Sequence, residues 1–181
     1  MRLFIAIDLP DNLKEKINQS IKILRKCDID AKWVQDKNLH LSLKFLGETD
    51  QEKLAEIKKI INLTAQEYQE IELYTESFGF FPNEIRPRVF FLGTDKGEEL
   101  KRIAVSLEGR LEKLGFIKEN RFAPHITLAR LKSIKNISGL KSELKNISVK
   151  EKIPVSEIAL FQSILKSCCS IRIGSYNHHD H

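Results

Sequence analysis

Residues 39–47 read LHLSLKFLG and residues 122–130 read FAPHITLAR, and these two stretches decide how the chain is organised. Each contains a histidine, an aliphatic residue, a hydroxyl residue and a second aliphatic residue, in that order. Because side chains alternate between the two faces of a strand, the histidine and the hydroxyl residue share one face and the aliphatic residues point into a core. We therefore expect two matched strands that present an imidazole and a hydroxyl to the same surface.

The sequence around each stretch repeats one order of elements. Strand patterns at 2–8 and 32–46 flank a helical pattern in the first half. Strand patterns at 88–93 and 122–131 flank the helical pattern at 97–114 in the second half. This order predicts an internal duplication that produces two similar lobes around a cleft.

The remaining elements indicate the α+β class. Strands are predicted at 71–80, 153–165 and 168–176, a second helix follows Thr49, and 132–150 resembles a polar connector with some strand character. Several of these strands lack the intervening helix that a parallel sheet requires. We therefore expect two mainly antiparallel sheets with the helices outside them.

The composition is typical of a soluble globular protein. Of 181 residues, 41% are hydrophobic and 30% are charged, and no apolar run approaches the ~18 residues that span a membrane. We expect residues 1–176 to form one monomeric catalytic domain of two pseudo-symmetric lobes, and 177–181 to form a disordered tail. The net charge of +5 is a mild excess that favours anionic partners such as RNA.

The cysteines and the N-terminus indicate a cytoplasmic protein. Cys27, Cys168 and Cys169 have neither a paired framework nor a zinc-binding spacing, so they are interpreted as reduced thiols. The apolar N-terminal stretch is interrupted by Asp8 and Pro10, which makes it too short for a signal peptide. Nothing in the sequence calls for a cofactor.

Two imidazoles on one surface suit the cleavage of a phosphodiester. A neutral imidazole can take a proton from the attacking group while an imidazolium protonates the departing oxygen, and both forms are accessible because histidine titrates near pH ~6.5. The hydroxyls of Ser42 and Thr127 can bind the non-bridging oxygens. Two histidines without nearby carboxylates or thiolates make a poor zinc site, so we expect no metal. The spacing alone does not say which histidine donates the proton.

The chain resembles the two-histidine phosphoesterases, specifically the RNA 2′,3′-cyclic phosphodiesterases, also described as 2′-5′ RNA ligases. The resemblance rests on the two histidine stretches and extends over roughly residues 1–165. It includes MRLFIAIDLP at 1–10, GFFP at 79–82 and RPRV at 86–89, all in family order. It implies a bilobal α+β fold whose cleft lies between two antiparallel sheets.

The resemblance also implies roles for the matching residues. His40 corresponds to the proton donor, His125 to the proton acceptor, and Ser42 and Thr127 to the phosphate-binding residues. Ser42 stands where the family often has threonine, and the hydroxyl is retained. The segment from Phe161 onward follows the family pattern less well, so the roles of the last two strands stay undefined.

Three further residues are candidates for substrate binding: Arg130, Lys44 and Phe45. Simple alternation places Arg130 opposite the His125 face, so that only a bulge or a strand end would bring it to the cleft. Lys44 shares the face of His40 and could contact the phosphate or lie at the rim. Alternation points Phe45 toward the core, although a strand end can turn it toward a base. Core packing is expected for the other aromatic residues nearby, which are Trp33, Phe78, Phe80 and Phe81.

The resemblance therefore implies hydrolysis of the 2′,3′-cyclic phosphate at an RNA end to a 2′-phosphate, and the two histidines favour metal-independent acid/base catalysis. RNA with such an end is the expected partner, and tRNA fragments are one candidate source. Two alternatives stay open. One is the reversible joining of RNA through a 2′-5′ linkage, and the other is a non-catalytic RNA-binding module.

Overall fold

Strands dominate the computed structural model, which describes residues 1–95, 97–119, 122–164 and 169–177. The strands are β1 (Arg2–Asp8), β2 (Ala31–Trp33), β3 (His40–Glu48), β4 (Ile71–Phe81), β5 (Val89–Thr94), β6 (His125–Leu131), β7 (Lys152–Val155), β8 (Glu157–Ile164) and β9 (Cys169–Asn177). The α-helices are α1 (Asp11–Leu24), α2 (Leu54–Gln66), α3 (Gly97–Glu112) and α4 (Ile137–Glu143). Short 3₁₀ turns cover Arg25–Cys27, Asp36–Asn38, Gln51–Lys53 and Leu144–Asn146.

The strands lie in the order β7-β4-β5-β6-β3-β1-β8-β9, with β2 added beside β6, and their pairings are antiparallel. The two halves meet where β3 pairs with β6 at Leu41 and Ile126. This junction joins the two expected sheets into one continuous series of strands. The antiparallel α+β class predicted from the sequence is confirmed.

The strand order is symmetrical about that junction. β3 is flanked by β1 and then β8, and β6 is flanked by β5 and then β4. In the first half β1 leads into α1 before the chain returns to pair as β3, and in the second half β5 leads into α3 before β6. Each half thus places the strand that begins with a histidine at the centre of the sheet.

The helices cover one face of the sheet. The main core combines apolar side chains of α1, α2 and α3 with those of the strands, because each helix has one apolar stripe at helical spacing. A second, smaller cluster contains strand residues alone: Phe4, Ala6, Ala159 and Phe161. Alternation along β1 puts this cluster on the opposite side of the sheet from Leu3 and Ile5. We call the side of the sheet turned away from the helices the open face.

Two predicted elements differ from the structure. The strand expected over 153–165 is divided at Ser156 into β7 and β8, which pair with β4 and β1 respectively, so the chain crosses here from one half to the other. The connector at 132–150 contains the helix α4 rather than a strand. Leu140 is fully buried and Ile137 and Leu144 pack against the core, a spacing that follows one helical stripe.

The C-terminal strand ends one residue later than expected, since β9 includes Asn177. The rest of the predicted tail, 178–181, lies outside the described residues, as does Cys168. Cys27 is a free thiol. Over the described ranges, the helices are too short or too polar to cross a membrane.

Candidate active site

Two histidines begin the two strands that join the halves of the sheet. β3 starts at His40 and β6 at His125, and the strands pair one residue further along, at Leu41 and Ile126. The paired leucine and isoleucine are fully buried, so the residues on either side of them point to the open face. Extension of the antiparallel register places the two imidazoles at diagonal positions, which lie about 7–8 Å apart in a regular sheet.

The two hydroxyl residues complete this group. The same register sets Ser42 opposite His125 and Thr127 opposite His40. Both hydroxyl residues are half-buried between fully or nearly fully buried neighbours, as alternation requires. The structure thus brings together four side chains that the sequence predicted to share one surface.

Each imidazole is fixed by a hydrogen bond through the same ring atom. His40 Nδ1 lies 2.7 Å from the carbonyl oxygen of Asn38. His125 Nδ1 lies 2.7 Å from the carbonyl oxygen of Ala123. Because a carbonyl oxygen only accepts, each Nδ1 donates, and the neutral ring carries its lone pair on Nε2. Nε2 is therefore the atom of each ring that can accept or deliver a proton.

The ring of His40 is packed against two stacked phenylalanines. Phe4 and Phe161, on the paired strands β1 and β8, stack with their ring centroids 5.2 Å apart. The His40 ring centroid lies 4.7 Å from that of Phe4 and 6.0 Å from that of Phe161. These contacts hold the imidazole and remove water from it.

His125 has a matching pair. Phe81 and Phe91 stack at 4.2 Å, and their centroids lie 4.9 and 5.5 Å from that of His125. The Phe91 ring covers the backbone of Gly79, where a Cβ atom would overlap the ring and force it to move. Phe81 was expected in the core and instead lies beside the histidine. The other three aromatic residues contact Phe90 in the core as expected: Trp33, Phe78 and Phe80.

The surroundings of His40 strongly favour its neutral form. Burial lowers the pKa of His40 from 6.5 to about 4. The hydrogen bond to the Asn38 carbonyl and the charge of Asp8 oppose this shift, whereas the charges of His125 and Lys14 add to it. The unliganded protein therefore carries a neutral His40 at pH 7, and a bound anion would favour its protonation.

His125 is shifted in the same direction for a partly different reason. Burial lowers its pKa, the hydrogen bond to the Ala123 carbonyl opposes the shift, and the positive charge of Arg130 lowers the pKa further. The charge that acts on His125 is thus a cation, whereas His40 has a carboxylate beside it. This difference distinguishes two sites that otherwise share their geometry.

A β-bulge follows the hydroxyl residue in both strands. The register of β3 against β1 skips Leu43, and the register of β6 against β5 skips Leu128. A bulge reverses the alternation of side chains beyond it. Two successive buried side chains therefore occur in each strand, and the next residue turns to the open face.

The bulges bring Phe45 and Arg130 to the open face. Phe45 is 51% exposed, with its ring centroid 6.0 Å from that of Phe4. Arg130 is exposed and close enough to His125 to affect its pKa. Uninterrupted alternation would point both side chains to the face opposite the histidines, so the bulges are what place them on the open face.

Lys44 does not share the open face with His40, and the structure corrects that prediction. Its side chain is 2% exposed. Its Nζ lies 2.8 Å from the Glu108 carboxylate and donates a hydrogen bond of 2.7 Å to the carbonyl oxygen of Ile117. The bulge at Leu43 turns Lys44 inward, where it links β3 to α3.

Sequence reasoning missed Asp8, which pairs in register with His40. The Asp8 carboxylate lies 2.7 Å from Lys14 Nζ and 3.5 Å from an Arg172 guanidinium nitrogen. Period-two alternation along β1 places Phe4, Ala6 and Asp8 on one face, but it does not show that Asp8 pairs with His40. The ranges described by the structure contain no group of three or more His, Cys, Asp or Glu side chains that could hold a metal ion.

Two imidazoles, each with Nδ1 bound to a carbonyl oxygen, and two hydroxyl residues therefore share the open face of the sheet. A family model, LigT-like phosphoesterase, matches the chain twice, at residues 7–91 and 92–168. The chain therefore belongs to the LigT-like phosphoesterase family.

Known proteins similar to this chain agree with that assignment. An RNA 2′,3′-cyclic phosphodiesterase of Methanothermobacter thermautotrophicus is 33% identical over 168 residues, which cover 91% of each chain. One of Methanocaldococcus jannaschii is 39% identical over 145 residues, 80% of each chain. The crystal structure of TT0787 from Thermus thermophilus superposes with a TM-score of 0.82 at 28% identity, over the full length of both chains.

Proposed function

We propose that this chain hydrolyses the 2′,3′-cyclic phosphate at an RNA end, without a metal ion, with His125 as proton acceptor and His40 as proton donor. The observation that carries the proposal is the pair of imidazoles on adjacent strands, each with Nδ1 bound to a carbonyl oxygen and Nε2 left for proton transfer. Family membership supports a phosphoric diester hydrolase, and the names of the relatives support this RNA substrate.

The proposed reaction is a single displacement at phosphorus. Nε2 of His125 takes a proton from water as the water oxygen attacks, and the bond between phosphorus and the 3′ oxygen breaks. Nε2 of His40 delivers its proton to the departing 3′ oxygen. The product carries a 2′-phosphate and a free 3′ hydroxyl, and proton exchange with solvent restores both rings.

The charges of Asp8 and Arg130 support this assignment of donor and acceptor, while His125 and Lys14 act on His40 in the opposite direction to Asp8. The Asp8 carboxylate favours the protonated form of His40, as a donor requires. The Arg130 guanidinium favours the neutral form of His125, as an acceptor requires. Burial makes the protonated His40 scarce in the free protein. The anionic substrate would raise the pKa of His40 when it binds between the rings.

The hydroxyls and the two residues turned out by the bulges supply substrate contacts in this proposal. Ser42 and Thr127 would hydrogen-bond the non-bridging phosphate oxygens and hold phosphorus between the rings. Arg130 would pair with the phosphate or stack on a base, since a guanidinium does both. Phe45 offers an exposed ring on the His40 side for stacking of a base.

We also infer that the chain is an internal duplication within one domain. The family model matches each half of the chain once. The strand order is symmetrical about the junction of β3 and β6. The two central strands have the same succession of half-buried, buried and exposed positions over seven residues.

A cyclic-phosphate dinucleotide tests the proposal. The purified chain, treated with EDTA and assayed at neutral pH, should convert a 2′,3′-cyclic phosphate end to a 2′-phosphate, identified by phosphorus NMR against authentic 2′ and 3′ monophosphates. Loss of activity with EDTA that a divalent ion restores would contradict the metal-free mechanism. A predominant 3′-phosphate product would contradict the departure of the 3′ oxygen and the orientation of the substrate between the histidines that the donor and acceptor assignments require. No turnover alongside RNA binding would leave a binding module.

A further inference from the structure

The residue whose carbonyl oxygen holds His40 is itself held by the C-terminal strand. Asn38 Oδ1 lies 3.0 Å from the backbone nitrogen of Ser170 and 3.2 Å from its hydroxyl, so both groups of the serine donate to the asparagine side chain. Ser170 belongs to β9 and lies 132 positions along the chain from Asn38. A hydrogen-bonded series thus runs from β9 through Asn38 to the Nδ1 atom of His40.

We propose that Asn38 is a positioning residue whose side chain, held by Ser170, fixes the carbonyl oxygen that orients the His40 imidazole. The proposal rests on the proposed function, because it concerns the aim of the proton-donating ring. It also gives β9 a role in the reaction, although none of its residues needs to touch the substrate.

The backbone at Asn38 needs such an anchor. Asn38 ends the short 3₁₀ turn Asp36–Asn38, whose own hydrogen bonds join Asn38 N to Gln35 O at 2.9 Å and Leu39 N to Asp36 O at 3.0 Å. Single-turn 3₁₀ segments have poor hydrogen-bond geometry and little stability of their own. Asp36 and Lys37 are exposed, so their side chains add little packing to this turn. The contact with Ser170 ties the last residue of the turn to the sheet.

In the second half of the chain, a different feature fixes the carbonyl oxygen that orients the histidine. The carbonyl oxygen that holds His125 belongs to Ala123, whose methyl side chain cannot form a hydrogen bond. Pro124 follows it, and a proline ring fixes its own φ and restricts the residue before it. The corresponding residue in the first half is Leu39, which imposes no such restriction. The Asn38–Ser170 contact thus supplies from outside the turn the rigidity that proline supplies within it.

Three substitutions test this role against a control in the same turn. Asn38→Ala removes the acceptor and leaves the backbone carbonyl, whereas Asn38→Asp keeps an oxygen that accepts both Ser170 donors. Ser170→Ala removes only the hydroxyl, because the strand N–H remains. Lys37→Ala is the control, since it alters an exposed side chain of the same turn. Circular dichroism and thermal melting identify any variant that fails to fold.

We expect Asn38→Ala to lower kcat for a cyclic-phosphate dinucleotide by about tenfold with KM nearly unchanged, the worth of roughly one hydrogen bond. Ser170→Ala should have a smaller effect in the same direction. Asn38→Asp should restore kcat to within about threefold of wild type, and Lys37→Ala should match wild type. A folded Asn38→Ala variant with wild-type kcat would overturn the proposal, as would equal losses in Asn38→Ala and Asn38→Asp.

Nitrogen-15 NMR of the imidazoles gives a readout that needs no activity. In the wild-type protein His40 should show the tautomer protonated at Nδ1, and in Asn38→Ala its signals should move toward a mixture of the two tautomers. The signals of His125 should stay unchanged in that variant. If the wild type hydrolyses no cyclic phosphate, the proposed function fails while this measurement still judges the anchor. An unchanged His40 tautomer in Asn38→Ala would overturn the anchor whatever the enzyme does.

Discussion

Residues 40–46 and 125–131 adopt the same structure with different side chains. Both segments begin with a histidine bound at Nδ1 to the carbonyl oxygen two residues earlier, and both contain a bulge at their fourth residue. Both histidines lie against a stacked pair of phenylalanines drawn from neighbouring strands. The segments share few identical residues. Their backbones and the packing around their histidines are therefore similar, although several of their side chains differ.

The differences lie at the two positions after the bulge and beside the rings. The inward position is Lys44 in the first segment and Ala129 in the second, and the outward position is Phe45 or Arg130. A carboxylate acts on His40 and a guanidinium on His125. A symmetrical scaffold thus surrounds its two imidazoles with different charges.

Replacement of either histidine should have the largest effect. We expect His40→Ala and His125→Ala each to lower kcat by about 10²–10⁴, the usual worth of one acid/base group. Both should stay folded, because the rings lie on the open face rather than in the main core. Rates with a cyclic-phosphate dinucleotide and thermal melts measure both effects. Near-wild-type turnover in one variant would show that this histidine takes no part in proton transfer and that the two histidines do not have matching roles.

The inward position should reveal the next largest effect, on stability. Lys44→Met leaves Glu108 buried at 7% exposure without its cation, which should lower the free energy of unfolding by about 3–5 kcal/mol. The double variant Lys44→Met, Glu108→Leu should recover most of that loss, since the second half of the chain has an apolar residue at this position. Denaturant unfolding measures both.

The exposed pair of Lys101 and Glu98 supplies the control for that experiment. Their charged atoms are 3.5 Å apart at the surface of α3, and Lys101→Met should change the free energy of unfolding by less than about 1 kcal/mol. Equal effects of Lys44→Met and Lys101→Met would mean that the interior pair contributes no more than a surface pair does.

The sequence predicted the parts of the site that follow from period-two alternation. The histidines and hydroxyls lie on one face, and Leu41 and Ile126 lie in the core, because a regular strand allows no other arrangement. Alternation was wrong for Lys44, since no residue type at Leu43 signals an extra residue in the strand. The same kind of bulge accounts for Arg130, which the sequence allowed at the cleft only on that condition.

Long-range pairings were beyond the sequence for a different reason. Residues 153–165 form a continuous β pattern, but Ser156 separates a strand that pairs with β4 from one that pairs with β1. Local propensity does not identify a partner strand, because many apolar strands fit the same neighbour. Asp8 and Ser170 were missed for the same reason. Asp8 lies beside His40 only because β1 pairs with β3, and Ser170 lies near it only because β9 contacts Asn38.

The outward position should distinguish the two halves in substrate binding. Arg130→Gln should lower kcat/KM for an RNA dinucleotide by about 10–100-fold, the worth of a charge-assisted contact with the phosphate. Phe45→Leu should cost less than about tenfold, because leucine keeps part of the stacking surface. Arg102→Gln, which removes the same charge from an exposed position on α3, is the control. Loss of kcat/KM in that control equal to the loss in Arg130→Gln would mean that net charge, and not the site, sets affinity.

The pH dependence should report the electrostatic difference between the rings. In the free protein, burial holds the pKa of both histidines below 6.5, with His40 at about 4. Above these pKa values, the fraction of free protein with one protonated histidine falls tenfold for each unit of pH. We therefore expect log kcat/KM to fall with a slope near −1 between pH 7 and 9. The profile of kcat should stay level to higher pH, because bound phosphate raises the pKa of His40.

Asp8→Asn turns that profile into a test of which ring donates. Removal of the carboxylate should lower the pKa of His40 further, since the charges that then remain around the ring, those of Lys14 and His125, act in the same direction as burial. If His40 is the donor, kcat/KM at pH 8 falls by the same factor as its protonated fraction, and the slope of the profile is unchanged. Proton NMR titration of the free variant supplies that factor independently. A lowered His40 pKa without any fall in kcat/KM would show that His40 reacts in its neutral form, and His125 would then have to be the donor.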